Sequence, residues 1–410
     1  MTLTLRRHLR ALILGALSIT LFLSGSMPAR ADVVLDKDGK VKVFGDVRGR
    51  GEYDWDSIDA NGTMRADRGR IRVRARLGLV YTHSPAWSIG FRLRSGSQSS
   101  QQSPHMTIID FNNNSQGESN FSFDQWWGRW KHDNYQLMVG RDSWSVWKQN
   151  ELFLSDNVTG AGVTTSDSWK LGGEHDQLAA KAGYMAMPDG MVNFFGYLGY
   201  GQVVYSHDND HFGLTGAAGY FVFDGAARTT RHPDLIPKNL RNGNGGRDYR
   251  ITVCNVQVRI PAGNWPIAIG ADWMRNGQDY DRMEITQDPF FTTNGGDYTL
   301  AGRKERSGYV GQISVGKVAD KGDMQFSYTY AVIRALAVNA SYAQDDWVRW
   351  GSSTQTDSSN LRGHELRYAY SISKVTNFVV RFWSVDSIVK KLPLGNGDGK
   401  RVRVDWNFKW

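Results

Sequence analysis

The segment Arg401-Val402-Arg403-Val404-Asp405-Trp406-Asn407-Phe408-Lys409-Trp410 alternates polar and apolar residues without a break. Side chains of an extended strand point to opposite faces with period two. Val402, Val404, Trp406, Phe408 and Trp410 therefore share one face, and Arg401, Arg403, Asp405, Asn407 and Lys409 share the other. One face suits hydrocarbon and the other water, with aromatics where the two meet. That is the pattern of a closing strand in a transmembrane β-barrel.

A second signal lies at the other end. Arg6, Arg7, His8 and Arg10 form a positive segment, Ala11 to Ser24 an apolar run, and Ala29-Arg30-Ala31 a small-x-small site. This is the layout of a cleaved export signal. Cleavage after Ala31 is expected, leaving a barrel over 32–410. The alternative, an N-terminal anchor helix, is disfavoured because the run falls short of the ~20 residues a helical span needs.

The formal net charge of +8 includes four arginines and no acid within residues 1–31, which leaves +4 for the remainder. That mild excess, with no compact Lys/Arg tract, points to no nucleic-acid partner. No later apolar run is long enough for a helical span, whereas barrel strands need apolar residues only at alternate positions. Gly (45), Trp (15), Tyr (17) and Phe (18) are abundant, which favours one large antiparallel sheet over several soluble domains. Cys254 is the only cysteine, so no intrachain disulfide holds the fold; it reads as a small packed side chain.

Strand-like alternation recurs along the chain. Lys40 to Asp56 places Lys42, Asp46, Arg48, Arg50, Glu52 and Asp54 on one face, with Phe44 the exception. In the next strand Arg68, Arg70, Arg72, Arg74 and Arg76 oppose Ile71, Val73, Ala75, Leu77, Leu79 and Tyr81. After the turn at His83 to Ala86, Arg92 and Arg94 alternate with Phe91 and Leu93. Short turns near Asp133-Asn134, His207 to Asp210, Pro261 to Pro266, Asp320 to Asp323 and Ser373 to Thr376 interleave with longer polar segments. The longer ones run over Ser97 to Asn120, Ser143 to Thr159, Gly225 to Gly246, Asn276 to Gly302, Asn339 to Ser359 and Lys390 to Gly399. Short turns at one rim and long loops at the other are the bacterial barrel arrangement, and about sixteen strands fit. Counts of about fourteen or eighteen also fit, because alternation fades between Gly160 and Tyr205 and the link at Pro188-Asp189-Gly190 is short for an outer loop. A soluble β-sandwich would not account for aromatics near so many strand ends.

Several stretches carry a family pattern: Met324 to Tyr330, Asp345-Asp346-Trp347, Asn360 to Leu366 with Tyr368-Ala369-Tyr370-Ser371, and the terminal aromatic strand. Nearer the start Arg70 to Leu79, Phe123-Asp124-Gln125 before Trp126-Trp127, and Val139-Gly140-Arg141 belong to it. Together, in this order over most of residues 32–410, they resemble the "putative porin" family of proteobacterial outer-membrane proteins. The resemblance implies a monomeric or trimeric barrel with a water-filled lumen, seated among outer-membrane lipid and lipopolysaccharide after handling by the barrel-assembly machinery. The chain departs from the family at Ile333 to Ala343, where an acidic stretch is usual and Ile333-Arg334-Ala335-Leu336-Ala337 stands instead. In general porins the third outer loop narrows the lumen. By that resemblance Glu151 and Asp156, in the segment Ser143 to Asn157, face an arginine wall, with Lys148 moderating their charge. A surface loop anchored by Trp144, Trp147 and Phe153 is the alternative.

The arginines carry the chemistry. A guanidinium stays charged near neutral pH, and one at the bilayer midplane costs about 2–4 kcal/mol. Arg68, Arg70, Arg72, Arg74 and Arg76 are therefore expected on the lumen side, with Arg48, Arg50, Arg92, Arg94, Arg401 and Arg403 joining the wall. The functional reading is a diffusion channel for small hydrophilic solutes or ions that prefers anions. The alternatives are a channel specific for phosphate, organic anions or a saccharide, and a structural barrel whose loops bind a surface partner and whose arginines only balance Asp46, Glu52 and Asp54. Trp55, Tyr81, Trp87, Trp127, Trp130, Trp144, Trp265, Trp273, Trp347, Trp350, Trp383, Trp406 and Trp410 read as interface anchors, although Trp126, Trp127 and Trp130 occupy both faces of one strand, so at least one can enter the lumen. An enzyme is not expected: no serine is tied to His132, His175, His207, His211, His232 or His364. No cofactor motif appears, and Asp279, Asp281, Glu284 and Asp288 read as solvated loop acids rather than a metal site.

Overall fold

The computed structural model describes residues 33–58, 64–117, 119–225, 248–279, 304–347, 358–388 and 398–410. The export signal expected at 1–31, Trp350, His232, Asp281, Glu284 and Asp288 lie outside them. Among the described residues sixteen long strands form the wall: β1 Val41–Ile58, β2 Arg68–Thr82, β3 Trp87–Ser95, β4 Phe121–His132, β5 Tyr135–Ser143, β6 Thr159–Lys170, β7 Asp176–Asp189, β8 Asn193–Asp208, β9 Gly213–Asp224, β10 Tyr249–Ile260, β11 Ile267–Asn276, β12 Ser307–Gly316, β13 Met324–Ile333, β14 Leu361–Ser373, β15 Thr376–Ser387 and β16 Asp398–Lys409. Each pairs antiparallel with its neighbour, and β16 pairs with β1 to close the barrel. Two short strands are additions: Val33–Val34 lies on the start of β1, and Met106–Asp110 pairs with Arg70 to Val73 of β2 above the end of β3.

Period two sorts each strand into an inner and an outer row. The outer row is apolar and exposed, with Leu77, Trp87, Ile89, Phe91, Tyr184, Val203, Tyr220, Ile269, Trp273, Tyr309, Phe326 and Leu366 distributed around the circumference. An apolar belt of this extent far exceeds the patches a monomeric soluble protein leaves in water. Closure leaves no strand edge unpaired at the seam; even beyond β16, Trp410 and Gly45 exchange backbone hydrogen bonds of 3.0 and 3.1 Å. A Cβ on Gly45 would sit 2.7 Å from the Trp410 ring, so the glycine makes room for that indole.

The inner face is divided. On the β6–β13 side it carries an apolar cluster beside neutral polar residues: Met185, Met187, Leu198, Tyr200, Phe221, Phe223, Ile251 and Val253 point inward and pack against Leu152, Phe153, Leu154 and Val158, while Gln257, Gln312, Ser327 and Thr329 line open space. On the β14–β3 side it is charged. The aromatic expectation is corrected for several residues. Trp127, Trp144, Trp347 and Trp383 are buried inside, the last two at 1% and 0% exposure, whereas Trp87, Trp265 and Trp273 are exposed. Burying those indoles against inner segments removes more apolar surface from water than an interfacial position would.

Where β4 and β5 meet, Gly140 has φ +130, and a Cβ there would lie 2.3 Å from the Trp126 carbonyl oxygen and 2.7 Å from the Trp127 Cα. Only backbone is in the way, so no side chain can yield. Gly140→Ala is expected to cost about 1–3 kcal/mol of strain and to lower the yield of folded barrel, read as heat-modifiable gel mobility; a wild-type yield would refute this account of the β4–β5 crossing.

Candidate functional site

The charged half is built from lateral pairs. On β1 and β2, Asp46, Arg48, Arg50, Glu52 and Asp54 lie opposite Arg76, Arg74, Arg72, Arg70 and Arg68. Across the seam, Asp46, Arg48, Arg50, Glu52 and Asp54 meet Lys409, Asn407, Asp405, Arg403 and Arg401. Directly opposite side chains lie on the same face and within reach, so Asp46, Glu52 and Asp54 each have a cation on each side. Asp46 accepts from Arg74 Nε at 2.8 Å and Arg76 Nε at 2.6 Å. Glu52, almost fully buried, contacts Arg70 and lies 3.5 Å from Arg72. Arg50 donates to Asp405 at 2.6 Å, and Arg401 to Asp54 at 2.5 and 3.0 Å. Buried charges need this pairing: removing one partner of such a pair costs about 3–5 kcal/mol, mostly because the other stays desolvated.

Three inward segments, 96–105, 143–158 and 334–347, then fill part of the barrel and hold one another. Gln101 and Gln102 donate to the carbonyls of Ser341 (2.9 Å), Ala340 (2.8 Å) and Ala343 (2.6 Å). Ser155 N donates to Tyr342 O at 2.8 Å, and Gln344 N to Glu151 O at 3.0 Å. The middle segment is fixed to the wall at two points. Gln202 forms a two-way clamp with the Trp147 backbone (2.7 and 2.9 Å), and Asp272 accepts from Gln149, Asn150 and Asn255. The departure at Ile333 to Ala343 has a structural use here: Ala335, Leu336, Ala337 and Val338 are fully buried, with Ala337 and Val338 in the apolar core.

Between these segments and the arginine strands lies a cavity of about 410 Å³. Eleven arginines line it: 48, 50, 65, 68, 70, 72, 74, 76, 381, 401 and 403, against the carboxylates of Asp54, Glu151, Asp156, Asp345 and Asp346. Five further acids, Asp46, Glu52, Asp110, Glu365 and Asp405, sit in the ion-pair network. The arginines still outnumber these acids, by eleven to ten. Glu151 and Asp156 come from the middle segment, and Lys148 neutralises Asp156 at 2.6 Å.

Of the arginines expected to line a lumen, Arg48, Arg50, Arg68, Arg70, Arg72, Arg74, Arg76, Arg401 and Arg403 line this cavity. Arg92 and Arg94 face inward but do not. Arg92 is engaged by Asp124 at 2.6 Å, and Arg94, 1% exposed, donates to the carbonyls of Gln101 and Asn157, tying two inward segments to β3. Sequence reasoning missed Arg381, His105, Asp345 and Asp346 as site residues. Asp346 is the hub of the site: 2.5 Å from Arg403, 3.9 Å from Arg401 and 4.0 Å from Arg50. The same Arg403 guanidinium lies 4.7 Å from the Trp383 ring centre. The acid pair inside an otherwise apolar stretch was the available signal.

Burial, then the adjacent Asp346 carboxylate, pushes Asp345 up to about 6 against the pull of Arg72 and Arg401. At Asp346 burial acts in the same direction, but Arg403 and Arg50 outweigh it and hold the carboxyl well below the usual range. Burial, with Arg50, Arg72, Arg74 and Arg48 nearby, keeps the His105 imidazole neutral at pH 7. Among the described residues no group of three His, Cys, Asp or Glu side chains is placed to hold a metal ion.

No protein-family model and no curated protein sequence matches this chain. Among solved structures, the barrel is similar to OprB of Pseudomonas putida in a high-pH form, with TM-score 0.54 and 9% identity over 91% of this chain and 95% of that one. It also aligns with OmpF of Salmonella typhi (TM-score 0.49, 11% identity, 92% and 100% covered). An anion-selective porin from Comamonas acidovorans aligns with TM-score 0.49 and 14% identity, over 90% and 99%. At such identity the likeness to OprB establishes a porin-type barrel fold and nothing narrower.

The anchorage of the middle segment is testable without reference to function. Asp272→Leu removes the acceptor of three side-chain donors, each bond to a charge contributing about 1.5–3 kcal/mol. Trypsin is expected to cut after Lys148 in the folded variant barrel and to spare the parent protein. Equal resistance in both would show that the clamp at Gln202 suffices alone.

Proposed function

We propose that this protein is an outer-membrane porin for passive diffusion of small hydrophilic solutes or ions, with a preference for anions. The observation that carries the reading is the arginine excess lining a water-accessible cavity inside a closed barrel. The apolar outer belt supports placement in a bilayer, since a barrel satisfies its backbone internally and presents only side chains to lipid. The export signal read from residues 1–31 and the family resemblance point to the same compartment. In this reading cleavage follows Ala31, the belt contacts lipid, lipopolysaccharide or a second copy in a trimer, and the barrel-assembly machinery inserts the chain.

The electrostatics give the preference its direction. A wall of fixed guanidinium groups with low-dielectric surroundings raises the local anion concentration. The carboxylates of Glu151, Asp345 and Asp346 oppose that wall across the cavity and make a transverse field rather than a uniformly positive hole. Small polar solutes would be oriented as they pass, and anions would slide along the arginine side.

Planar-bilayer recording in a salt gradient tests the reading. Stepwise conductance with an anion-signed reversal potential is expected; no steps would sink the channel. Neutralising Arg70, Arg72 and Arg74 together is expected to move the reversal potential toward cations, and an unchanged value would remove these residues from the selectivity wall. The pH dependence has a definite sign. Below about 6 the Asp345 carboxyl takes up a proton, the lining loses one negative charge, and anion preference rises between pH 7.5 and 5. Asp345→Asn should flatten that window; a shift toward cations on acidification would contradict the assignment.

A further inference from the structure

A second chamber of about 480 Å³ adjoins the first and shares Glu151, Asp156, Gln344 and Arg381 with it. Its lining joins charged residues, Lys148, Arg367 and Arg381 with Glu151, Asp156 and Glu365, to a neutral polar set that the first chamber lacks. Gln257 from β10, Gln312 and Ser314 from β12, and Ser327 and Thr329 from β13 line it. None of these five side chains makes a hydrogen bond within the described protein, whereas nearly every charged group across the lumen is paired. They are neutral donors and acceptors left free for water or solute.

The register places this neutral set beside the charged one. Lateral pairing runs Ser314 to Ser327, Ser327 to Arg367, Arg367 to Arg381, and Arg381 to Arg403 without a break. Adjacent strands are about 5 Å apart, so hydroxyls give way to guanidinium groups within about 10 Å along one girdle. The row above pairs Gln312 with Thr329. Trp347 borders the same chamber, and its buried indole N–H has no partner. A bare inorganic anion has no use for the amide and hydroxyl rows. A neutral sugar has no use for Arg367 and Arg381.

We infer that the two chambers together form a subsite for sugar acids, small polyhydroxylated molecules that carry one carboxylate. The carboxylate lies against Arg381 and Arg367, and the hydroxyls meet Gln312, Thr329, Ser327 and Gln257. This rests on the channel reading and names its solute class. No bond is made or broken; the site binds weakly enough to release, as conduction requires.

Single-channel recording with added glucuronate, glucose or acetate tests it. Glucuronate is expected to interrupt the ion current at concentrations at least about tenfold lower than either glucose or acetate, because it alone uses both rows. The double variant Gln312→Leu, Thr329→Val should weaken glucuronate block about tenfold, the effect of losing two hydrogen bonds, and bring it close to acetate. Arg381→Gln should weaken glucuronate and acetate alike. Glucose blocking as well as glucuronate, or acetate doing so, would overturn the sugar-acid assignment while leaving the channel standing. So would a double variant with parental glucuronate block. Absence of any conductance steps would remove the channel reading and this subsite with it.

Discussion

Closure of the sheet through β16 and β1 is the constraint from which the rest follows. Joining these strands puts one set of side chains on an apolar exterior and the other in a confined interior, because period two offers no third place. The interior set at the seam is almost entirely charged, and confinement strips water from it. The guanidinium groups must then find acceptors, and the register supplies them: Arg50 to Asp405, Arg401 to Asp54, Arg403 opposite Glu52, and Arg48 to the Asn407 amide oxygen. A one-residue slip would bring every partner to the wrong wall. Charge complementarity and backbone pairing therefore specify the same register.

The inward segments answer a second demand. The β6–β13 side presents methionine, phenylalanine and tyrosine to the interior, which would be costly facing water. Residues 143–158 and 334–347 cover it with their own apolar side chains, and their acids are left on the opposite side, toward the arginines. One packing event thus narrows the lumen and polarises it. Asp346 joins the two effects, since its loop is held by buried Trp347 and Tyr342 while its carboxylate contacts Arg403.

Much of this was legible in the sequence, and the gaps have physical reasons. Alternation in Arg68 to Tyr81 and Arg401 to Trp410 gave strand, face and lumen side at once, because one face meets charge and the other meets hydrocarbon. Alternation faded between Gly160 and Tyr205 because β7 and β8 are apolar on both faces: Met185, Met187, Leu198 and Tyr200 pack inward while Tyr184, Tyr197 and Val203 are exposed outward. The short link after Asp189 is accommodated beneath the rim, where Met191 N donates to Gln98 O and its carbonyl accepts from Arg141. Glu151 and Asp156 were found by analogy to an inward loop. Asp345 and Asp346 were seen only as family motif, since their placement depends on buried packing of Ala335 to Val338 that no local pattern announces. Trp144 and Trp347 looked like interface residues for the same reason: periodicity gives a face for a strand but not for a segment that turns back into the barrel. Trp383, by contrast, sits on β15 on the same face as Arg381, and its inward position follows from that register rather than from its place near a strand end.

The seam also bears on how the chain folds. Arg50 and Asp405 are 355 residues apart in sequence, so pairing β16 with β1 closes a loop whose entropic cost is about 5 kcal/mol before any contact is repaid. Every other pair of neighbouring wall strands is also adjacent in sequence and can form hairpin by hairpin. The closing step is then both the most non-local and the last available, and until it occurs two charged strand edges and an apolar belt stand open together. Folding rate, and escape from aggregation, should be governed by that single late contact rather than by the average strength of the wall.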